Sequence, residues 1–466
     1  MIGLPLLVTV DDRTTPDRTL LGGKAASLAM LSRLGARVPP AFVLTTEAYR
    51  RWSAEADEQA LRTWIRDGVA GLEASAGRKL GAGATRLVVS VRSGAPVSMP
   101  GMMDTVLNVG LGRPDEDAPP FVRDARRRFL LQFAETVVGL ARDDVDSLLD
   151  AAGGAECDLD ALQDRLSARA ATTGFVWPAS PEDEILAAAK AVFASWDSSR
   201  AKLYRKMRKI DNDLGTAVTV QVMVFGNYDA SSGSGVAFTR EPTTGAPGLC
   251  GEFLNGGQGE EVVGGRETAA SIADWAAQFP VQHAELCALG EQLERDSREV
   301  QEIEFTLEAG RLYILQCRRA LLTSEGAARV TVDLVAEGMI GREDAVEYAC
   351  SHGFDPSAAA ARKAVGAGAV PFASGLAVGG GVASGRLALG ELAAARFAQA
   401  NDPVIFATIE TSPSLLPIMQ RSAGLVTMLG GATSHAAVVA REMGVPCVVG
   451  VGGHVAAGRR QAGSGS

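Results

Sequence analysis

The stretch GGATSHAAVVAR, residues 430–441, constrains the fold of this chain most strongly, because it joins a strand-like run to a helix. The preceding residues 423–429, AGLVTML, predict a buried strand, and the two glycines predict a tight turn. A hydroxyl side chain then caps a helix that ends at Gly444. The order of strand, turn and helix predicts an α/β unit. Its turn and cap residues are Gly430, Gly431, Thr433 and Ser434.

His435 falls in the first turn of this predicted helix. Unpaired backbone N–H groups and the helix dipole stabilise an anion there, so a phosphoryl group carried by the imidazole would be stabilised. An ordinary pKa of about 6.5 allows the ring to be neutral, and therefore nucleophilic, at neutral pH. A histidine that only caps a helix would give the same local pattern. The other three histidines lie in helical or tail sequence without a glycine turn, and we interpret them as structural or solvated: His283, His352 and His454.

Composition predicts a cytoplasmic enzyme. The 466 residues suggest about three domains, and no apolar run is long enough to span a bilayer. The formal net charge of −10 argues against a sequence-independent nucleic-acid binder, so an anionic substrate must be bound by local cations. Six scattered cysteines without a CxxC pair are typical of reduced thiols and show no metal-ligand spacing.

The alternation of strand-like and helical segments predicts five regions. They are an α/β lobe at 1–111, a helical insert at 112–205, a second β-rich lobe at 206–324, a helical connector at 325–370 that ends in an Ala/Gly-rich linker (358–370), and an α/β unit around His435 at 371–466.

Further motifs occur upstream in a fixed order. They are LGGKAASL (21–28), VSVRSGAPVSMPGMMDTVLNVGL (89–111), VQVMVFGNYDASSGSGVAFTREPTTG (220–245), GEFLNGGQGEEVVGG (251–265) and EIEFTLEAGRLYILQCRR (302–319). Together with the His435 segment they closely resemble the pyruvate, phosphate dikinase family of phosphoenolpyruvate-utilising enzymes. The resemblance implies an α/β and α+β multidomain fold. It consists of an ATP-grasp-type domain with a helical insert, then a swivelling phosphohistidine domain that is cut short, without a (β/α)8 barrel.

Two cations suit a nucleoside triphosphate. Lys24 follows two glycines, and Arg92 lies in the polar turn after the strand-like run RLVVSV. Either could be an ordinary exposed charge. The resemblance implies that both contact ATP phosphates and that Arg92 acts in catalysis.

The stretch SMPGMMDT at 98–105 predicts a turn flanked by methionines. It resembles the glycine-rich loop of the phosphate-using branch of the family, which implies inorganic phosphate as a co-substrate. Within this stretch, the resemblance assigns Gly101, Asp104 and Thr105 to the binding of ATP or phosphate. It assigns the same role to the arginine pair Arg127 and Arg128 further along the chain.

Two carboxylates on one predicted strand are placed so that they could bind a magnesium ion. Glu302 and Glu304 are two positions apart on a predicted strand and so share a face, and Gln316 and Arg318 repeat this spacing on the returning strand. The two strands are predicted to form a hairpin that turns at Ala309 and Gly310. Their pairing would gather Glu304, Gln316 and Arg318, although an exposed hairpin with a cross-strand ion pair would look the same. The resemblance implies that Glu302, Glu304 and Gln316 hold Mg²⁺; the family usually has aspartate in place of Glu302.

Gln221 and Met223 alternate along VQVMVFG and resemble the strand that lines the adenine pocket of the family. A core strand would show the same alternation.

The resemblance implies a two-step reaction in which His435 attacks the β-phosphorus of ATP and releases AMP. Inorganic phosphate then takes the terminal phosphoryl group, so that ATP, phosphate and histidine give AMP, pyrophosphate and phosphohistidine, with Mg²⁺ as cofactor.

The chain departs from the family after residue 450, where the pyruvate-binding barrel would follow, and at SLLPIM, where an acidic residue is replaced.

Several interpretations therefore stay open. The chain could be half of a split dikinase with a separate barrel protein, a stand-alone phosphohistidine donor, a fragment, or an ATP-binding regulatory or phosphocarrier module without turnover. A homodimer is also left open.

Overall fold

The computed structural model of the chain divides into two compact units. The first comprises Met1–Phe225 and Tyr313–Gln316, and the second comprises Gly226–Leu312 and Cys317–Ser466. Both mix helices and strands, which confirms the predicted α/β, multidomain class. The residues that the structure describes are 4–81, 86–99, 101–113, 118–154, 157–264, 269–354, 373–399, 402–411 and 415–452.

The first unit is built on an antiparallel sheet whose valine-rich strands are β1 (Leu7–Val10), β2 (Ala41–Leu44), β3 (Val89–Gly94), β4 (Thr105–Val109) and β5 (Ala217–Val222). Their order across the sheet is β1-β2-β5-β3-β4. Strands β2 and β5 are buried at every residue, so both faces at the centre of the sheet are covered.

Helices cover this sheet, and side-chain oxygens cap many of them. Asp17, Thr45 and Asp57, for example, each accept a hydrogen bond from an N–H group in the first turn that follows. The α-helices are α1 (Arg18–Arg33), α2 (Thr46–Glu55), α3 (Glu58–Ala76), α4 (Pro120–Phe133), α5 (Arg142–Ala151), α6 (Leu159–Ala171), α7 (Pro181–Ser195) and α8 (Ser199–Arg208). A π-helical turn, Ala134–Val138, extends α4.

A second sheet forms the first part of the second unit. Its strands are β6 (Gly233–Arg240), β7 (Pro247–Asn255), β8 (Ala270–Ser271), β9 (Gln301–Glu308) and β10 (Arg311–Arg319), in the order β10-β9-β6-β7-β8. The predicted turn at Ala309 and Gly310 is confirmed, since both residues have positive φ between β9 and β10. The accompanying helices are α9 (Gly259–Gly264), α10 (Ile272–Gln278), α11 (Pro280–Ser297), α12 (Ser324–Ala336) and α13 (Ala345–Ser351).

The last part of the second unit is a smaller α/β layer. Its strands are β11 (Leu376–Ala377), β12 (Arg386–Leu389), β13 (Val404–Thr408), β14 (Gly424–Thr427) and β15 (Cys447–Val449), and its helices are α14 (Glu391–Gln399), α15 (Leu416–Arg421) and α16 (His435–Met443). Strands β12, β13, β14 and β15 are parallel neighbours, and β11 pairs antiparallel with β15. We call this layer the His435 layer.

Some sequence predictions fall outside the described residues: the linker at 358–370, the first residue of SLLPIM, and the tail after Gly452. The five predicted region boundaries remain predictions. Among the described helices, none has the length and apolarity that crossing a membrane would require.

Candidate functional site

The loop that carries His435 connects β14 to α16, as the sequence predicts. Gly430 has a φ of 107°, which a residue with a side chain adopts only with strain. Ser434 is the N-cap, because its Oγ accepts from the Ala437 N–H at 3.4 Å and donates to the Gly431 carbonyl at 2.9 Å. His435 is the first residue of α16, and Gly444 ends the helix with a φ of 66°. The helix predicted from the caps is confirmed.

One ring nitrogen of His435 has a partner and the other has none among the described residues. Nδ1 lies 3.0 Å from the Thr411 hydroxyl, whereas Nε2 is buried and makes no hydrogen bond to the described part of the protein. Burial lowers the pKa of His435 below its ordinary value. A neutral ring with its proton on Nδ1 would therefore present a free electron pair at Nε2.

The sequence interpretation missed Thr411 as a site residue, although it stands in the segment Glu410-Thr411-Ser412-Pro413. It follows β13, and His435 follows the parallel neighbour β14. Because parallel strands end at the same edge of a sheet, residues beyond those ends meet. This register places the hydroxyl beside the imidazole.

The loop before His435 already binds a carboxylate. The Ala432 N–H donates to Glu252 Oε1 at 3.0 Å, and the Thr433 hydroxyl donates to Glu252 Oε2 at 2.5 Å. Glu252 belongs to β7 and was not among the predicted site residues, although it lies in the motif GEFLNGGQGEEVVGG. A loop N–H and a loop hydroxyl thus hold a protein carboxylate before α16 begins, and the predicted stabilisation of an anion by the first turn of the helix stays a prediction.

Arg441 supports the same loop from the far end of α16. Its Nη2 donates to the Ala432 carbonyl at 2.9 Å, and its guanidinium lies 5.8 Å from the Phe238 ring centroid. Burial lowers the pKa of this guanidinium, yet arginine keeps its charge in proteins. A buried cation therefore lies next to the backbone of the histidine loop.

Three residues that the sequence predicts to bind ATP lie together in the first unit: Arg92, Gln221 and Gln316. Arg92 lies within β3 and not, as the sequence predicted, in the turn after it, because the strand continues to Gly94 and Arg92 pairs with residues on both neighbouring strands. Its Nη1 and Nη2 donate to the side-chain oxygens of Gln221 at 3.4 Å and Gln316 at 3.2 Å. Both amides are almost completely buried. The two glutamines hold the guanidinium in one orientation.

Lys24 is placed by a break in α1. Gly22 has φ 75° and ψ 165°, and a Cβ there would lie 1.8 Å from the Gly94 carbonyl oxygen. The next N–H, that of Gly23, donates to the Ala95 carbonyl at 2.9 Å. The Gly22-Gly23-Lys24 motif therefore packs directly on the turn that follows Arg92.

The predicted loop residues Gly101, Asp104 and Thr105 lie at the start of β4. Gly101 is exposed with a φ of 69°, and Thr105 pairs with Arg92 across the sheet. Asp104 instead forms an ion pair with Arg200. Burial raises the pKa of the Asp104 carboxyl, and the Arg200 charge opposes that rise.

Arg127 and Arg128 both contact one carboxylate on their own helix. Their guanidinium groups lie 2.8 Å and 2.7 Å from the two oxygens of Asp124. The preceding Arg126 is buried and pairs with Glu184 at 3.0 Å, so it holds α4 to α7. The proposed phosphate contact of the arginine pair stays a prediction.

Glu302 pairs with Arg318 at 2.6 Å, which is the cross-strand ion pair that the sequence left open as the alternative to a metal site. Burial alone would lower the pKa of Arg318, but Glu302 and Glu304 raise it overall. The described residues contain no group of three acidic, cysteine or histidine side chains placed around one metal position. Gln316 belongs to the first unit, and its gathering with Glu304 and Arg318 stays a prediction.

Met223 does not lie on the strand that carries Gln221, where the sequence predicts it. Strand β5 ends at Val222, so Met223 follows the strand in place of alternating with Gln221 along it. Its N–H donates to the Val88 carbonyl at 2.8 Å, and its side chain packs beside Phe225. The run VMVF is apolar throughout, so periodicity could not locate the end of the strand.

The structure is a mixed α/β, multidomain chain with one group of polar side chains around Arg92 and another around His435. Residues 60–274 match the pyruvate phosphate dikinase AMP/ATP-binding domain, and residues 400–461 match the mobile domain of PEP-utilising enzymes. The chain thus carries these two domains of the phosphoenolpyruvate-utilising enzymes, and the resemblance inferred from the motifs is confirmed.

Curated relatives agree with the domain matches. The chain is 38% identical to pyruvate, phosphate dikinase of Clostridium symbiosum over 93% of its own length and 52% of the relative. It is 37% identical to the Rhizobium meliloti enzyme over 94% of its length and 52% of that relative. The chloroplastic enzyme of Flaveria pringlei shows 38% identity over 93% of this chain and 47% of the relative. The chain therefore spans about half the length of these relatives.

Proposed function

We propose that this chain is an ATP- and phosphate-dependent phosphotransferase that phosphorylates its own His435. The observation that carries the proposal is the buried, unpartnered Nε2 of His435, next to a loop whose Ala432 N–H and Thr433 hydroxyl already hold a carboxylate. A neutral nucleophile and an anion-binding loop are the two features that phosphoryl transfer to a histidine requires.

The nucleotide side of the proposal is an ATP-grasp-type site around Arg92. Arginine suits phosphate because it donates several hydrogen bonds in a fixed plane, and the buried amides of Gln221 and Gln316 orient it. Lys24 would add a second cation, since its motif packs on the turn after Arg92. Arg127 and Arg128 would bind inorganic phosphate.

The proposed chemistry has two steps. In the first, His435 Nε2 forms a bond to the β-phosphorus of ATP, and the bond between that phosphorus and the oxygen of the α-phosphate breaks, which releases AMP. In the second, an oxygen of inorganic phosphate forms a bond to the terminal phosphorus, and the bond between that phosphorus and the oxygen that bridges it to the β-phosphorus breaks. Pyrophosphate leaves, and the β-phosphoryl group with the bridging oxygen remains on His435 as phosphohistidine. Thr411 keeps the proton on Nδ1, so Nε2 stays available for the first bond.

The residues on β9 fit a magnesium ion, because Glu302 and Glu304 are carboxylates on one face of a strand and Mg²⁺ prefers oxygen ligands. We propose that these two residues and Gln316 hold the ion. When bound, Mg²⁺ neutralises charge on the phosphates during transfer. Arg318 on the neighbouring strand β10, which pairs with Glu302 at 2.6 Å, would then supply positive charge beside these carboxylates.

The relatives are named for pyruvate as well as phosphate. None of the described strands and helices forms a (β/α)8 barrel, so we propose that a pyruvate step would use a separate barrel domain, on this or another polypeptide. The His435 layer, matched by the mobile domain family, would swivel to carry the phosphoryl group. A donor to another acceptor is the second candidate, because the described residues leave the acceptor open.

Labelling of the protein from ATP tests the proposal. Incubation with Mg²⁺, phosphate and ATP labelled at the β-phosphorus should give AMP and an acid-labile label on the wild-type chain. His435→Asn should lose the label and keep ATP binding within a few fold. His283→Asn is the matched control, because His283 contacts Cys287 on its own helix α11 and Trp275 on α10, both outside the His435 layer. A label that persists in His435→Asn would refute the assignment.

A further inference from the structure

We propose that Arg200 is a positioning residue for the nucleotide site, because it fixes the segment 101–104 that leads into β4. Its Nε donates to the Met102 carbonyl at 3.1 Å, and its guanidinium forms an ion pair with Asp104. One side chain thereby holds both a backbone oxygen and a carboxylate of the same turn. This inference rests on the proposed function, since it concerns the proposed ATP site.

A second contact reaches the same turn from the neighbouring helix. The Asp104 N–H donates to the Ser195 hydroxyl at 3.2 Å, and that hydroxyl donates to the Val192 carbonyl at 2.7 Å. Ser195 ends α7 and is almost completely buried. Two successive helices, α7 and α8, therefore anchor Asp104 through its backbone and its side chain.

The anchored turn determines where Thr105 lies. Thr105 begins β4 and is the register partner of Arg92 on β3. A shift of Asp104 would therefore displace the residue opposite the main phosphate cation of the proposed site. This gives Asp104 a role besides the one that the sequence suggested, because it holds the turn through Arg200.

The chemistry of arginine explains the residue type at position 200. A guanidinium donates in several fixed directions at once, so it can serve the Met102 carbonyl and the Asp104 carboxylate together. A lysine ammonium could pair with Asp104, but it lacks the planar fork that spans both acceptors. Arg200→Lys should therefore fail to replace arginine here.

The test compares Arg200→Lys and Arg200→Ala with a control on the same helix. Lys202→Ala is that control, because Lys202 pairs with Asp197 at 3.3 Å and both side chains are more than half exposed. In the full chain, both Arg200 variants should raise the Michaelis constant for ATP about tenfold, consistent with loss of a charge-assisted contact, with kcat within about twofold. Lys202→Ala should match the wild type.

Amide hydrogen exchange supplies a readout that needs no catalysis. The peptide that contains residues 101–105 should exchange about tenfold faster in both Arg200 variants, since its anchoring contacts open more often. Peptides from β2 and β5 should be unchanged, which shows that the variants fold. Asp104→Asn combined with Arg200→Ala should be no worse than Arg200→Ala alone, because the two residues act as one unit.

Wild-type exchange of residues 101–105 in Arg200→Lys would overturn this inference even if the wild-type chain phosphorylates His435. Faster exchange in a chain that shows no phosphorylation would support the anchor and refute the proposed function. A wild-type Michaelis constant for ATP together with wild-type amide exchange in Arg200→Ala would also overturn the positioning role of Arg200. A fall in kcat with an unchanged Michaelis constant would exclude the positioning role.

Discussion

The imidazole of His435 is tuned by burial, with no charged neighbour acting on it among the described residues. Burial is the cause of its lowered pKa, and its one described partner is the neutral hydroxyl of Thr411. A neutral ring is easier to bury than a charged one, so the site favours the nucleophilic form. Burial thus favours the neutral form of the ring, which the proposed attack requires.

The lowered pKa gives a pH dependence of definite sign. The unfolded chain, with a pKa of about 6.5 at this residue, binds the proton before the folded chain does as the pH falls. The contribution of His435 to stability is therefore complete above that value and is lost as the pH falls below it. His435→Gln should lose this part of the pH dependence of the unfolding free energy, measured in urea from pH 5 to 8.

The lowered pKa of His435 should also determine how the rate of labelling depends on pH. The initial rate of labelling should stay constant as the pH is lowered from 8 to about 6.5, because the ring remains neutral, and should fall only below that value. An acid limb centred above 6.5 would show that burial does not control this histidine. The reaction should be stopped in alkali, since phosphohistidine is labile in acid.

The hydroxyl of Thr411 provides a second residue-scale prediction. Thr411→Val keeps the volume and removes the hydrogen bond to Nδ1, so labelling should slow about tenfold, equivalent to roughly 1–1.5 kcal/mol. Thr411→Ser should retain most of the rate, because it keeps the hydroxyl. An unchanged rate in the valine variant would show that the 3.0 Å contact does not orient the ring.

At the scale of elements, the glycine pair in α1 explains how Lys24, the proposed phosphate cation, is placed near the end of β3. Gly22 has a conformation open essentially to glycine alone, and its position against Gly94 leaves no space for a Cβ. The break lets the helix begin directly on the turn after β3. Lys24 depends on this contact for its place.

Substitution of Gly22 tests that dependence. Gly22→Ala should destabilise the chain by about 3 kcal/mol or more, because backbone strain and a backbone clash combine. Gly71→Ala is the matched control: Gly71 lies inside α3 with open space around its added Cβ, so it should stabilise by about 0.5–1 kcal/mol. Urea unfolding measures both. Equal effects of the two substitutions would contradict the close approach.

Local sequence predicted the elements whose ends are chemically marked. The helix that carries His435 has a serine cap and a terminal glycine, and the β9–β10 hairpin has a turn at Ala309 and Gly310. The end of β5 at Val222 was not predictable, because apolar residues continue beyond it. Caps and turns are local signals, whereas the end of a buried strand depends on its neighbours.

Contacts between distant residues could not be predicted in the same way. The Thr433 hydroxyl binds Glu252, which is 181 positions away, and Arg200 binds Asp104 across 96 positions. No periodicity links such pairs, and only the folded chain brings them together. The sequence therefore indicated which segments carry the chemistry but not which side chains hold those segments.

At the scale of the whole molecule, an acidic chain is proposed to bind highly anionic substrates. Its formal net charge is −10, so the overall field does not attract a nucleotide. We propose that the attraction is local and comes foremost from the oriented guanidinium of Arg92. Binding of ATP should therefore weaken much more in Arg92→Ala than after removal of exposed cations elsewhere.

The affinity of each variant for ATP tests this expectation. Arg92→Ala should lose roughly 1.5–3 kcal/mol of binding free energy, which is the value of hydrogen bonds to a charged group. Arg50→Ala, which removes an exposed cation paired with Glu47 at 3.2 Å, should change affinity by less than about twofold. Calorimetric titration with ATP and Mg²⁺ distinguishes the two, and equal losses would contradict a local site.

The most direct test of the central claim follows each phosphorus atom of ATP in the intact chain. With phosphate and Mg²⁺ present, label from the β-phosphorus should remain on His435, and label from the γ-phosphorus should appear in pyrophosphate. The proposed attack of His435 on the β-phosphorus, followed by transfer to inorganic phosphate, requires this partition. Retention of the γ-label on the protein after phosphate is added, or absence of the β-label from His435, would contradict it.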